Sequence, residues 1–517
     1  MPVVKVNGVG SVGVNKDLST AEMPIQAWSD ALNIRFLDGY ALQFYGHSQV
    51  YGTPSETPQH IIPVNIGANR YWIYATATKT YCVTVSGGVG VETDITHVTP
   101  RAGVVNQWTS TVLSGIPILN TGDTATVPMS WDLNTANKFV NLANWPANTY
   151  CKSLRAFKNS LVALNVSKSG TQYPYMVKWS HPADPGSVPS SWDPADATKD
   201  AGELDLAEGG DYIQDGLQLR DSFIIYKEAS VWRMDYTGGP FVYRFSKVLG
   251  ISGALNRNCI TEIDGQHLVL TGSDVMVHDG QSATSVLDKF TRRWLFQNID
   301  ATYSNLCFVA RNPFFNEVWI CFPFIGATSC NRAMIWNYKD NTVSFRSLPN
   351  VNHMAFGPVD DSLSNAWSSD SAPWGSDLSK WNGNEFVPST TRLLAASADT
   401  KLFLMDASAA FDSALPDAYL ERRGLTFDDP ESMKLVKGIR ARIVGETGAT
   451  VLIYVGSSND PYDDPVYGAA MTHTIGETLQ ADCYVTGRYI AVKFATGSAY
   501  SWRVDSYSFI VETAGAY

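Results

Sequence analysis

Apolar residues along this chain come in short runs rich in β-branched and aromatic side chains, broken by Asn, Asp, Gly and Ser at intervals too short for three-turn helices. Tyr71-Trp72-Ile73-Tyr74, Leu161-Val162-Ala163-Leu164, Phe223-Ile224-Ile225-Tyr226, His267-Leu268-Val269-Leu270, Val318-Trp319-Ile320-Cys321 and Leu402-Phe403-Leu404-Met405 read as strand cores, and the fold class is all-β. A polar turn residue stands two or three positions before each run, at Asn69, Asn159, Asp221, Gly265, Asn316 and Asp399, and successive turns are 90, 62, 44, 51 and 83 residues apart. A four-stranded propeller blade takes about 40 to 50 residues, so the three shorter intervals suit one blade each, with or without an insertion. Each long interval has room for a further blade or a long loop. Second runs such as Met176-Val177-Lys178-Trp179 and Ser230-Val231-Trp232-Arg233-Met234 supply antiparallel partners. The pattern predicts a β-propeller of six to seven blades, whose radial repetition leaves only short edges to protect.

Near 406–418 the pattern changes to a small-residue, turn-prone stretch that reads as a boundary. Beyond it, alternating segments such as Val451-Leu452-Ile453-Tyr454-Val455 and Tyr489-Ile490-Ala491-Val492-Lys493-Phe494 predict a compact β-sandwich-like platform of about 100 residues. The expected organisation is an extended N-terminal arm over 1–39 that contributes to propeller closure, a propeller over 40–411 and the platform over 412–517. Tyr454, Tyr489, Trp502 and Tyr507 are the platform's candidate interface aromatics, since such side chains anchor subunit contacts. On this reading a cut near residue 412 leaves a folded, monomeric propeller.

With 517 residues, 44% hydrophobic and 17% charged, the chain is well packed, which excludes global disorder. A net charge of −12 lacks the basic excess of a protein that grips nucleic acid. No apolar stretch approaches the ~18 residues of a membrane span, and the opening Met1-Pro2-Val3-Val4-Lys5-Val6 has no leader-like pattern, so synthesis in the cytoplasm is expected. Seven scattered cysteines without a C-x-x-C pair read as reduced, mostly buried thiols.

Candidate chemistry is sparse. Gly8-Val9-Gly10-Ser11-Val12-Gly13 matches G-x-G-x-x-G, but Pro24 and the absence of a following helical pattern argue against a dinucleotide site and for a Gly-rich arm. Asp274, His278 and Asp279 are the nearest approach to a metal-ligand cluster, yet no convergent set can be assembled. No catalytic, cofactor-binding or metal residues are assigned. From Asp200 to Asp215 there are six carboxylates and no Lys or Arg. Such a run is usually a solvated loop, and one that faced DNA would repel it.

Several segments resemble the tail nozzle proteins of short-tailed bacteriophages (podoviruses), also called tail tubular or DNA-stabilisation proteins. They are the stretch from Val14 to Gly39, Trp179-Ser180-His181-Pro182-Ala183-Asp184-Pro185-Gly186 with Ser191-Trp192-Asp193-Pro194, Leu219-Arg220-Asp221 with Tyr226-Lys227-Glu228, and Val277-His278-Asp279-Gly280 through Arg292-Arg293-Trp294. The likeness runs in order over most of the chain. It implies a non-enzymatic virion tail protein, built as a propeller with a β-rich platform and assembled as a homohexameric ring at the distal end of the tail. Such a ring extends the DNA channel below the adaptor, helps retain the genome until ejection, and passes double-stranded DNA without reading its sequence; on this resemblance Glu203, Asp205, Glu208 and Asp211 are candidate channel-facing residues, the alternative being a solvated outer loop. The other implied partners are the head-to-tail connector and tail fibre, spike or needle proteins, with no cofactor. The alternative class is a glycan-binding or glycan-hydrolysing propeller using Trp192, Asp193 and Trp374.

Overall fold

The computed structural model describes residues 3–515, apart from 17–18, 67–68, 87–88, 100, 102–107, 240–241, 251–252 and 360–389. Five successive four-stranded antiparallel sheets form blades 1 to 5, and their innermost strands are His60–Ile66, Thr109–Leu113, Thr149–Phe157, Ile213–Leu219 and Ile260–Ile263. Blades 6 and 7 share one long strand, Thr342–Val359. Its first half is the outer strand of blade 6, against Cys330–Asn337, and its second half is the innermost strand of blade 7, against Thr390–Ser397. The handover falls at Pro349-Asn350, where Asn350 takes φ 49° and the register shifts between Val351 and His353. An Asn accepts this left-handed conformation more readily than most residues, so one strand can leave a blade and enter the next without a loop.

The predicted turn grammar has a definite place in this plan. Phe157 pairs with Ser160, Leu219 with Ser222 and Ile263 with Gln266, so each hairpin has a two-residue loop between the first and second strands of a blade. Asp264 and Gly265 both have positive φ, the geometry that a tight hairpin needs to match strand twist.

Large apolar side chains fill every seam between blades. Ile73, Trp108 and Trp131 join blades 1 and 2, Leu154 and Ile118 join 2 and 3, Leu164 and Phe223 join 3 and 4, and Ile224 and Val269 join 4 and 5. Leu268 and Val318 lie in the seam of blades 5 and 6, Trp319 and Leu393 in that of 6 and 7, and Leu394 and Trp72 in that of 7 and 1. The ring closes when Gly46–Gln49 pairs with Lys401–Ser408, placing Gln49 opposite Phe403 and His47 opposite Met405. The chain is thus a seven-bladed β-propeller with a β-sandwich attached.

The N-terminal arm departs from expectation. Among the described residues, 1–39 contribute no strand to the closing blade. Val3–Asn7 pairs with Trp502–Gly515, Asp30–Leu32 with Tyr419–Leu425, and Ile34–Leu37 with Tyr40–Gln43, which in turn meets Trp502–Gly515. The reason is apolar: Trp28, Ile34 and Phe36 are buried in one cluster with Phe494, Tyr507 and Phe509 of the sandwich. The Gly8 to Gly13 string is a turn against Gly39 and Tyr40, where a Cβ on Gly10 would lie 2.2 Å from the Tyr40 carbonyl oxygen. The cysteines are free, and all but the half-buried Cys483 are buried.

A buried charge cluster ties sandwich to propeller. Arg35, on Ile34–Leu37, makes a 2.6 Å ion pair with Glu317 of blade 6 and a 2.8 Å pair with Asp406 of blade 7, and Asp406 also binds Arg346 at 2.6 Å. Burial would raise the Asp406 carboxyl, but the two guanidiniums hold it below the usual range. Phe44 and Phe315 lie within 4.3 Å of the Arg35 guanidinium. Asp406→Asn, which suits the local φ of 57°, would leave two buried guanidiniums sharing one carboxylate. It is expected to destabilise the fold by about 3–5 kcal/mol. The denaturant midpoint reads this, and a change below about 1 kcal/mol would mean that the cluster relaxes.

Candidate functional site

A pocket of about 260 Å³ opens on the propeller axis at the face where the innermost strands begin. A polar crosspiece lies beneath it. Arg155 grips the buried Asp215 through two hydrogen bonds of 2.9 and 2.6 Å and donates to Ser110 O and to Asn258 Oδ1. Asn258, at φ 61°, donates its side-chain amide to Trp108 O at 3.0 Å and its backbone amide to Asp215. These bonds join blades 2, 3, 4 and 5 across the axis. Burial alone would push the Asp215 carboxyl up, but Arg155, Ser153 and the Asn258 amide keep it below its ordinary value.

His60 and His353 close the side toward blades 1 and 7, with ring centroids 3.9 Å apart. His60 Nε2 meets Ser110 Oγ at 2.8 Å. His353 Nδ1 accepts the Ile61 amide, which places its proton on Nε2. Burial drives His60 well below its ordinary pKa and His353 down to about 3, so both rings are neutral at pH 7.

A second histidine pair fills the seam of blades 4 and 5. His267 Nε2 donates to Gln218 O, so its Nδ1 accepts from the Tyr226 hydroxyl at 2.7 Å. His278 Nδ1 accepts the Gly280 amide, so its Nε2 donates to the same hydroxyl at 2.5 Å. The tautomers, assigned from these partners, satisfy every ring nitrogen with both imidazoles neutral. The Asp274, His278 and Asp279 set therefore diverges: Asp274 pairs with Arg292 at 3.0 Å and Asp279 accepts the Gln281 and Ser282 amides. Among the described residues no group of three His, Cys, Asp or Glu side chains could hold a metal.

The acidic run lies mainly away from the propeller axis. Glu203 and Asp205 are on Gly202–Asp205, the outermost strand of blade 3, and Glu208 and Asp211 follow in the loop toward blade 4. Its charge is also compensated. Glu203 pairs with Lys168 and Lys178 at 2.5 and 2.9 Å, Asp211 with Lys227 at 2.7 Å, and Glu208 with Lys247 at 3.3 Å. Asp205 is exposed. The member of the run at the axis is Asp215, on an innermost strand. It differs from the others in being buried on that strand, beside a register shift between Ile213 and Asp215, and nothing in the acidic run itself marks it out.

Among the interface aromatics, Trp502 and Tyr507 are core residues. Trp502 Nε1 donates to Thr496 Oγ1, and Tyr507 packs between Trp28 and Phe494. Both face inward, although five residues apart, because the strand's register shifts between Val504 and Ser506 and resets its alternation. Tyr454 and Tyr489 are half-buried. The outer edge of the sandwich instead exposes Tyr462, Val466, Leu479 and Tyr484 at 80–87%. Val466 pairs with Ser457, whose hydroxyl donates to Thr486 O beside Tyr484, so the edges of the two sheets meet here. Trp192 is buried against Trp145 at 4.6 Å and Asp193 caps a turn at the Ala195 amide, while Trp374 lies outside the described residues.

No family model matches the chain, and no curated protein matches it. Among solved structures it is similar to PorZ, a surface component of the type-IX secretion system of Porphyromonas gingivalis, at 10% identity and a TM-score of 0.39, over 85% of this chain and 46% of that one. It is similar to a catalytically inactive virginiamycin B lyase from Staphylococcus aureus with quinupristin, at 10% identity and 0.41, over 70% of this chain and 99% of that one. The extracellular domain of a protein described as a one-component system of B. thetaiotaomicron follows at 8% and 0.40, over 90% of this chain and 62% of that one. The chain thus spans under half the length of PorZ and under two thirds of the last. Likeness at this level carries no argument about activity. No helix among the described residues is long and apolar enough to cross a membrane.

Proposed function

We propose that this chain is a structural ring protein of a short-tailed phage tail, in which several copies surround the path of the DNA. The observation that supports this reading on the structural side is the sandwich edge, where four large apolar side chains are 80–87% exposed. Exposed apolar groups gathered on one edge suit burial against another copy. The resemblance of the ordered segments supplies the rest: a six-membered ring in the virion tail, below the adaptor, bearing fibres, spikes or a needle. The protomer's own axis is crossed by Arg155, Asp215 and Asn258, so the DNA path in this reading is the opening between copies. Six copies would carry 6 × (−12) = −72 formal charges, a wall that gives phosphates few footholds. The glycan reading is less favoured, because the buried Trp192 offers no stacking face.

The full chain should sediment as a ring of six, and the paired change Leu479→Asp with Tyr484→Asp should yield folded monomers. A protein that stays monomeric at high concentration, or rings that survive the paired change, would refute the use of this edge.

A further inference from the structure

The axial pocket is independent of the ring reading. In a chain of net charge −12, its lining contains two cations, Lys152 and Arg257, and no carboxylate. The nearest acids are already engaged. Asp215 below the floor is held by Arg155, Ser153 and Asn258, and Glu228 near the rim accepts from Gln214 Nε2 at 3.0 Å. Arg257 is fixed by donating Nη1 to Lys152 O at 3.0 Å, which keeps the two cationic residues side by side.

Donors remain around this space. Lys152 Nζ and the Asn305 amide have no hydrogen-bond partner among the described residues, and neither has the Nε2 proton that the Ile61 contact assigns to His353. The lining also includes Gln59, Gln214 and Asn352. Side-chain amides both donate and accept, as sugar hydroxyls do. The volume of about 260 Å³ is below the usual range for drug-sized ligands.

We propose that the axial pocket binds a small hydroxylated anion, with its carboxylate or phosphate group held between Lys152 and Arg257 and its hydroxyls against the amides and His353. Partial desolvation at the pocket wall and repulsion from Arg257 lower the pKa of the otherwise exposed Lys152, and an anion between the two cations would relieve the repulsion.

Calorimetric titration of the full chain with glucuronate, glucose 6-phosphate and glucose tests this. Glucuronate or glucose 6-phosphate should bind, and whichever is tighter identifies the anionic group; glucose should bind at least tenfold more weakly. Lys152→Glu changes an exposed side chain and should leave the melting temperature unaltered while reducing affinity at least tenfold. Arg257→Gln should reduce it similarly, and its own melting curve separates lost binding from lost folding. The proposal is overturned if neither anion binds, if glucose binds as well as the anions, or if both variants bind as the parent does.

Discussion

Residues 1–411 expressed without the sandwich are expected to give no soluble, cooperatively folded propeller. The strands Asp30–Leu32 and Tyr40–Gln43 would lose their partners Tyr419–Leu425 and Trp502–Gly515. The larger loss is apolar. One continuous buried cluster runs from Leu268, Val318, Ile320, Phe322 and Phe345 of blades 5 and 6, through Trp28, Ile34 and Phe36, to Leu420, Ile453, Val492, Phe494 and Phe509 of the sandwich. Uncovering a fully buried large side chain costs about 1.5–3 kcal/mol. Even a handful of these side chains outweighs a whole-domain stability of about 5–15 kcal/mol. Arg35 would also lose the sheet that positions it against Glu317 and Asp406. Solubility, dye binding to exposed apolar surface and the thermal transition read the outcome. A monomer with a sharp melt would show that the two units are independent, as the sequence pattern alone suggests.

Acid should unfold the protein well above the pH at which carboxylates titrate. Burial lowers His47 to about 3 and His267 and His278 to about 4, and it drives His60 well below its ordinary value. All four are at most 4% exposed. An unfolded histidine titrates near 6.5, so below that pH the unfolded chain takes up protons that the folded chain refuses. Stability is therefore complete above about pH 6.5 and falls as the pH drops toward 4. At pH 5 His47, His267 and His278 each cost about 2 kcal/mol, about 6 kcal/mol together, and His60 adds to a loss comparable with the whole stability. The protonated state also breaks hydrogen bonds, since a proton on His278 Nδ1 would face the Gly280 amide. Melting temperatures measured from pH 8 to 4.5 should fall steeply below pH 6.5. A flat profile down to pH 5 would refute this account.

Local pattern made part of the propeller legible. Five of the six apolar runs are second strands of their blades, in blades 1, 3, 4, 5 and 6, each following its blade's innermost strand, through a two-residue loop in blades 3, 4 and 5 and a four-residue loop in blade 6. Blade 2 hides in the 90-residue interval, since its outer strands Met129–Ser130 and Val140–Asn141 have only two residues each and leave no periodic trace. The run Leu402–Met405 is out of phase with the others because it is the third strand of blade 7, following the second strand Thr390–Ser397.

The all-β class, the recurring strand-turn-strand unit and the sandwich's alternation are legible along the chain, because each depends on neighbours a few residues apart. Tertiary structure decided everything that requires distant segments to meet. It sent the arm to the sandwich and gave closure to Gly46–Gln49, because Trp28 and Phe36 gain more by burial against Phe494 and Phe509 than an exposed edge strand would. It supplied Lys168, Lys178, Lys227 and Lys247 to an acidic run that has no cation of its own. It also brought Lys152 and Arg257, His60 and His353 to one axis, a convergence of strand beginnings up to 293 residues apart that charge and periodicity along the chain cannot encode.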